Sequence, residues 1–247
     1  MTSPSSQPTP DKYQAIADGL RVAVVGARRT VMGTGGFLAR QANAAGAEVV
    51  AIVGSNYDSA RAASEELLAF GMRPEVYAEE EDMLLEMNPD VVIIASPTNT
   101  HIDWIQQCLD SRAHVFCEKP LCTSGAKHCD DLIRAFSANE LLISENCQWP
   151  FTLGAWQTLH PQSDIAMARK FSMLLSPKLR GEYRWQDILS HPLSLIQKIS
   201  PGPAHLENVA YAEHSSDSLD SALRFEYCTH SRALECEIIL EDIGGLP

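Results

Sequence analysis

Short apolar runs recur through the first 150 residues, at 21–26, 48–53, 91–95, 113–117 and 141–144, with helix-length segments between them. Val91-Val92-Ile93-Ile94-Ala95 has no polar member. That is the pattern of a strand covered on both faces. The segments at 37–45, 59–70, 79–87, 101–109 and 124–138 read as helices, with Gly46 as a cap and Gly71 and Pro74 as stops. Strands alternating with helices predict βαβ units and a doubly wound parallel sheet. Ligands of such a sheet bind in the crevice beyond the carboxyl ends of its strands.

The rhythm changes near residue 150. Strands are predicted at 170–175, 208–213, 222–230 and 233–240, and a helix at 191–199. Alternation in Leu223, Phe225 and Tyr227, and in Leu234, Cys236 and Ile238, fits an antiparallel sheet with one covered face. The predicted fold class is therefore α/β in two parts. A disordered Ser/Pro/Thr-rich leader occupies 1–12, a Rossmann-type domain 13–150, and a short α+β domain with a mostly antiparallel sheet 151–247.

A net charge of −13 opposes binding to nucleic acid or to an anionic membrane. No apolar run approaches the roughly 20 residues that span a bilayer, and the leader lacks the pattern of a signal peptide. Seven cysteines without a Cys-x-x-Cys pair read as reduced thiols and a cytoplasmic location. Cys117, Cys122, Cys129 and His128 lack zinc-finger spacing, and no metal is expected.

The first strand ends at Gly26, and the loop after it carries Gly33, Gly35 and Gly36 before a helix. Glycines let the backbone approach a pyrophosphate, and a helix N-terminus supplies N–H groups and positive potential. The loop is longer than the Gly-x-Gly-x-x-Gly pattern. At the end of the second strand stands Gly54-Ser55-Asn56, with no carboxylate to hold a ribose 2′-hydroxyl. Ser55 and Asn56, with Arg28, Arg29 and Arg61, suit a 2′-phosphate instead. NADP(H) is thus expected in preference to NAD(H).

The run 113–117 stops at Glu118-Lys119-Pro120, since proline cannot continue a ladder. A charged pair at that place belongs in the crevice, which makes Lys119 a candidate functional residue.

These pieces join Ser96-Pro97-Thr98-Asn99-Thr100-His101 upstream and Glu145-Asn146 downstream. Together they resemble the glucose-fructose oxidoreductase / inositol dehydrogenase / rhizopine-catabolism (Gfo/Idh/MocA) family of NAD(P)-dependent oxidoreductases. The resemblance implies that Lys119 reaches the substrate beside the nicotinamide. It also implies that Ser96, Pro97, Thr98, Asn99, His101, Glu118, Lys119 and Asn146 lie against the cofactor. Asp187 and His191 match a second family element, Asp-x-x-x-His.

The chemistry is consistent with these roles. Hydride removal from a carbinol carbon requires loss of the hydroxyl proton, and an imidazole suits that near neutral pH. A carboxylate can orient the imidazole, and an ammonium can stabilise developing alkoxide. His191 is the expected acid/base, Asp187 its partner or a substrate ligand, and Lys119 the electrostatic partner, all facing one nicotinamide ring. Gln148 and Trp149 stand where the family carries arginine and are expected at the substrate. Tyr183-Arg184-Trp185-Gln186 replaces the family's glycines, and the second domain is short for the family. The implied partners are a small sugar- or polyol-like substrate and further copies of the chain, as dimer or tetramer. Two other readings stay open: a catalytically silent NAD(P)-binding regulator, and redox-assisted elimination or hydrolysis without net oxidation.

Overall fold

Burial on both sides sets the first sheet. In the computed structural model its strands are β1 (Arg21–Val25), β2 (Glu48–Val53), β3 (Glu75–Tyr77), β4 (Val91–Ile94), β5 (His114–Cys117) and β6 (Ile143–Glu145). They run parallel in the order β3-β2-β1-β4-β5-β6. The helices are α1 (Gly35–Ala44), α2 (Tyr57–Leu68), α3 (Glu80–Met87), α4 (His101–Asp110) and α5 (Ala126–Ala138). Val22, Val24 and Ile52 face α1 and α2 through Leu38, Ala39, Ala60 and Leu67. Ala23, Val25 and Ile94 face α3, α4 and α5 through Met83, Ile105 and Phe136. Neighbouring residues of one strand thus serve opposite layers, so the strands read as unbroken apolar runs. β3 was not anticipated; it is a three-residue edge strand that starts after Pro74, too short to show a period.

The described residues are 17–27, 33–78, 80–177, 183–213 and 220–241; the expected leader and Arg28 and Arg29 lie outside them. The chain divides into two compact units, Met1–Asn146 and Cys147–Pro247. Among the described residues no helix is long and apolar enough to cross a membrane.

The second unit contains α6 (Thr152–Leu159), β7 (Lys170–Leu175), α7 (Tyr183–Ile188), α8 (Ser190–Ile199), β8 (Ala204–Glu213), β9 (Ser221–Thr229) and β10 (Ala233–Leu240). Its sheet runs β7-β10-β9-β8, antiparallel except for the β7–β10 pair. Ile196 and Ile199 of α8 pack on Phe225, Tyr227, Leu234, Cys236 and Ile238, the alternate residues of β9 and β10. The opposite face carries ion pairs, Arg224–Glu237 at 2.6 Å and Lys170–Glu235 at 3.4 Å. The expected single covered face holds for these strands.

Three features depart from expectation. Helix α6 buries none of its residues, so its sequence shows no apolar stripe. The strand expected from 208 begins at Ala204 and is exposed throughout as β8. Asp187, expected ahead of a helix, lies inside α7, and a separate helix, α8, starts at Ser190.

Candidate active site

The strand order of the first unit reverses between β1 and β4. Loops from these two strands depart in opposite directions there and leave a crevice. The structure has a cleft of about 360 Å³ at this place. Gly26, Ala27, Gly54, Ser55, Ser96 and Pro97 are among the residues that line it, together with Ser59, Thr100 and Trp104.

Two glycines keep the cleft open. Gly26 has φ +83°, and a Cβ there would sit 2.7 Å from the Ala95 carbonyl carbon and the Ser96 nitrogen. At Gly35 a Cβ would lie 2.7 Å from the Ala27 Cα and 2.8 Å from the Gly26 oxygen. The β1 turn, the β4 turn and the start of α1 are therefore in backbone contact, and the amino end of α1 points toward the turn. That cradle fits a dinucleotide: backbone N–H groups and positive helix potential meet a pyrophosphate, with no side chain in the way. Gly36 is less crowded, with 3.3 Å to the Ala27 oxygen. Gly33 is exposed and does not line the cleft.

Beside the cleft, Glu118 follows the last residue of β5. Its carboxylate oxygen accepts the Thr34 hydroxyl at 2.5 Å and the Asn146 side-chain amide at 2.7 Å. Charge-assisted bonds of this kind are stronger than neutral ones. They tie the residue ahead of α1 to the ends of β5 and β6. Thr34 occupies the N-cap position of α1 without capping it, because its hydroxyl serves Glu118. Lys119 comes next, half-buried, and is joined to Pro120 by a cis peptide bond.

His101, expected against the cofactor, is buried. Its ring is 1% exposed, with Nδ1 2.9 Å from the Pro120 carbonyl oxygen and Nε2 3.0 Å from that of Ser96. Both ring nitrogens thus face backbone carbonyls, and the neutral imidazole, with one N–H, donates to one of them at a time, which places the ring between the β4 and β5 turns. Ser96 is buried and shares a 2.7 Å hydrogen bond with Thr100, while Pro97 and Asn99 are exposed and Thr98 half-buried.

At the end of β2, Asn56 accepts the Ser59 amide at 2.9 Å and caps α2, and Ser55 is exposed beside it. The Arg61 guanidinium lies 5.7 Å from the Tyr57 ring centre. Arg28 and Arg29 fall outside the described residues.

In the second unit, the Trp149 and His191 rings lie 5.9 Å apart. The Cys147 thiol donates to the Ser190 carbonyl at 3.8 Å, which holds this segment on the start of α8. Ser194 donates its hydroxyl to the His191 carbonyl at 2.8 Å. Asp187, four residues before His191 and on the preceding helix, is half-buried, and Gln148 is exposed. The Arg184 side chain, 5% exposed, pairs with Glu213 at 2.9 Å and fixes α7 to the end of β8. Trp149 and His191 are thus neighbours; Thr34 and Arg184 are positioning residues that sequence reasoning missed. Thr34 left one signal, a hydroxyl just ahead of a helix.

Several known proteins are similar to this chain in sequence or fold. Inositol 2-dehydrogenase from Klebsiella pneumoniae (strain 342) is 33% identical over 110 residues, 44% of this chain and 32% of that protein. D-glucoside 3-dehydrogenase from Escherichia coli (strain K12) is 36% identical over 73 residues, 30% of this chain and 20% of that protein. The aligned part of the chain spans about a third of its first curated relatives. Among solved structures, an inositol dehydrogenase homolog complexed with NAD+ from Azotobacter vinelandii superposes with a TM-score of 0.71 at 18% identity, covering 96% of this chain and 68% of that one. UDP-N-acetylglucosamine 3-dehydrogenase from Acidithiobacillus ferrooxidans gives 0.70 at 17% identity, covering 92% and 71%. At such identities the superpositions show the fold. Residues 20–147, more than half of the chain, match the model described as an oxidoreductase family with an NAD-binding Rossmann fold, and the chain belongs to that family, Gfo/Idh/MocA.

Proposed function

We propose that this protein is an NAD(P)-dependent oxidoreductase acting on a hydroxyl or carbonyl carbon of a small sugar- or polyol-like substrate. The observation that carries the reading is the cleft at the β1–β4 switch point, floored by glycines with no room for a Cβ, beside the tethered Glu118-Lys119-Pro120 turn. Gly26, Gly35 and Gly36 would receive the pyrophosphate, and Ser55 and Asn56 the adenosine ribose. When bound, the nicotinamide accepts or supplies hydride.

The remaining work falls to the chain. The Lys119 ammonium would stabilise negative charge on the substrate oxygen. The His191 imidazole would take or return the hydroxyl proton, with Asp187 holding it in orientation. Trp149, against His191, would flank the substrate and limit its access to water, with Gln148 offering an amide. NADP(H) is the proposed cofactor, because the β2 end offers Ser55, Asn56 and nearby Arg61 where NAD-binding sheets present a carboxylate. The reading carries a cytoplasmic homo-oligomer, dimer or tetramer, which light scattering can size.

The test follows NADPH and NADH absorbance with a panel of polyols and keto-sugars, for the wild type and Lys119→Ala. The expected result is turnover with one of them, higher affinity for NADPH, and a loss of roughly 10²–10³-fold in the variant with cofactor binding retained. An unchanged rate removes Lys119 from the mechanism; tighter NADH binding removes the cofactor preference. Binding without turnover supports the silent regulator. Product formed without net change in NADPH supports redox-assisted elimination or hydrolysis.

A further inference from the structure

β8 is an edge strand in which every residue is exposed, so apolar burial does little to hold it. At its Glu213 end Arg184 holds it, and along its length a ladder pairs it with β9. On that ladder His205 pairs directly with Cys228, and Glu207 pairs with Glu226 two positions along. Residues two apart share a face of the sheet. The His205 imidazole, the Glu207 carboxylate and the Cys228 thiol accordingly converge, each bringing a ligand atom within 4.8 Å of the other two. His205 Nε2 already lies 2.9 Å from Glu207 Oε1.

We propose that His205, Glu207 and Cys228 bind one zinc-class divalent cation that staples the edge strand β8 to β9. The donor set selects the metal. One nitrogen, one oxygen and one sulfur suit zinc, whereas magnesium and calcium demand six or more oxygens. Bonds of zinc-site length in a tetrahedral arrangement set ligand atoms about 3.3–3.6 Å apart. The 2.9 Å pair has to open by a few tenths of an ångström and the thiol to swing inward. The His205 and Glu207 side chains, 67% and 54% exposed, are free enough of packing to follow. Three protein donors leave the fourth position to water.

The surroundings favour a cation. Glu226 stands opposite Glu207, takes the Asn208 side-chain amide at 3.1 Å, and adds negative charge to the same face. Without a metal, His205 and Glu207 form only an exposed pair, and such pairs contribute little. A cation bound to the folded sheet would instead stabilise it by mass action. The expectation of no metal rested on the spacing of cysteines between 117 and 129. The three ligands here follow no local pattern, since two come from one strand and the third from the next.

The experiment titrates the full-length, reduced, metal-free protein with Co2+ and then with Zn2+. One equivalent of cobalt should give a thiolate-to-cobalt charge-transfer band that zinc displaces, and zinc should raise the thermal midpoint. Cys228→Ser should lose the band. His205→Ala and Glu207→Gln, changes at exposed positions, should weaken binding by about 100-fold or more, since loss of an outer-sphere partner alone costs 10–100-fold. No band in the wild type, or an equal band in Cys228→Ser, overturns the proposal. The site shares no residue with the nucleotide cleft, so either outcome leaves the oxidoreductase reading untouched.

Discussion

The first unit buries both faces of its sheet, whereas the second covers one face and leaves an edge strand open. In β1 four of five residues are buried, and helices lie on either side. In β8 none of ten is buried. The difference shows where each unit tolerates change. In a sheet closed on both sides every added atom meets a neighbour, and the turns at the switch point are as tightly packed as the core. In the second unit the buried apolar cluster among the described residues lies between α8 and the inner faces of β9 and β10.

The sharpest way to break this comparison is Gly26→Ala. A left-handed residue with a side chain costs about 1–2 kcal/mol, and overpacking adds about 1–3 kcal/mol. Here the clashing atoms are the Ala95 and Ser96 backbone, which cannot rotate away. The variant should be destabilised by about 2–5 kcal/mol in urea and should lose NADPH binding in a fluorescence titration. Wild-type affinity would show that the turn is looser than the distances imply.

A smaller effect concerns thiols in the first core. Burial pushes the Cys108 thiol up from 9.0 to about 12. In the unfolded chain this group loses its proton near 9, while in the folded chain it keeps it. The folded state therefore binds more protons above that pH, and stability falls as pH rises from about 9 toward 12. Cys108→Ala should flatten this fall by about 1 kcal/mol per pH unit between about pH 9 and 10.5, measured by urea midpoints. Cys236, in the second unit's covered layer, is raised only to about 11, again by burial first. Its alanine variant should flatten a shorter stretch of the curve. Equal slopes in wild type and Cys108→Ala would mean that the thiol reaches water.

Where chemistry is local, the sequence discloses it. The apolar run of β4, the glycine after β1 and the Glu-Lys-Pro stop after β5 can be read because each depends on its immediate neighbours. What escapes is set by register and distance. Glu118 is held by Thr34, 84 residues earlier, and by Asn146, 28 residues later. The ring of His101 lies between the Pro120 and Ser96 carbonyls, 19 and 5 residues away, and no residue beside it announces that. α7 was missed because its six residues are too few for a helical period to emerge. β8 was foreshortened because an exposed edge strand carries no alternation of apolar and polar residues.

The smallest predicted effect tests the open edge itself. Val209 is 57% exposed on β8, beside the irregularity in the β8–β9 pairing between Glu207 and Ala210. Its isopropyl group buries little, and substitutions away from packed features usually stay within about 0.5 kcal/mol. Val209→Ala should therefore leave the urea midpoint nearly unchanged, in contrast to Gly26→Ala. A loss of about 2 kcal/mol or more would be the cost of emptying a packed position. β8 would then be covered in solution, and by a second copy of the chain if the loss shrank on dilution of the protein. The division between a closed first sheet and an open second one would not survive that result, because the edge strand exposed along its whole length would then carry a covered face.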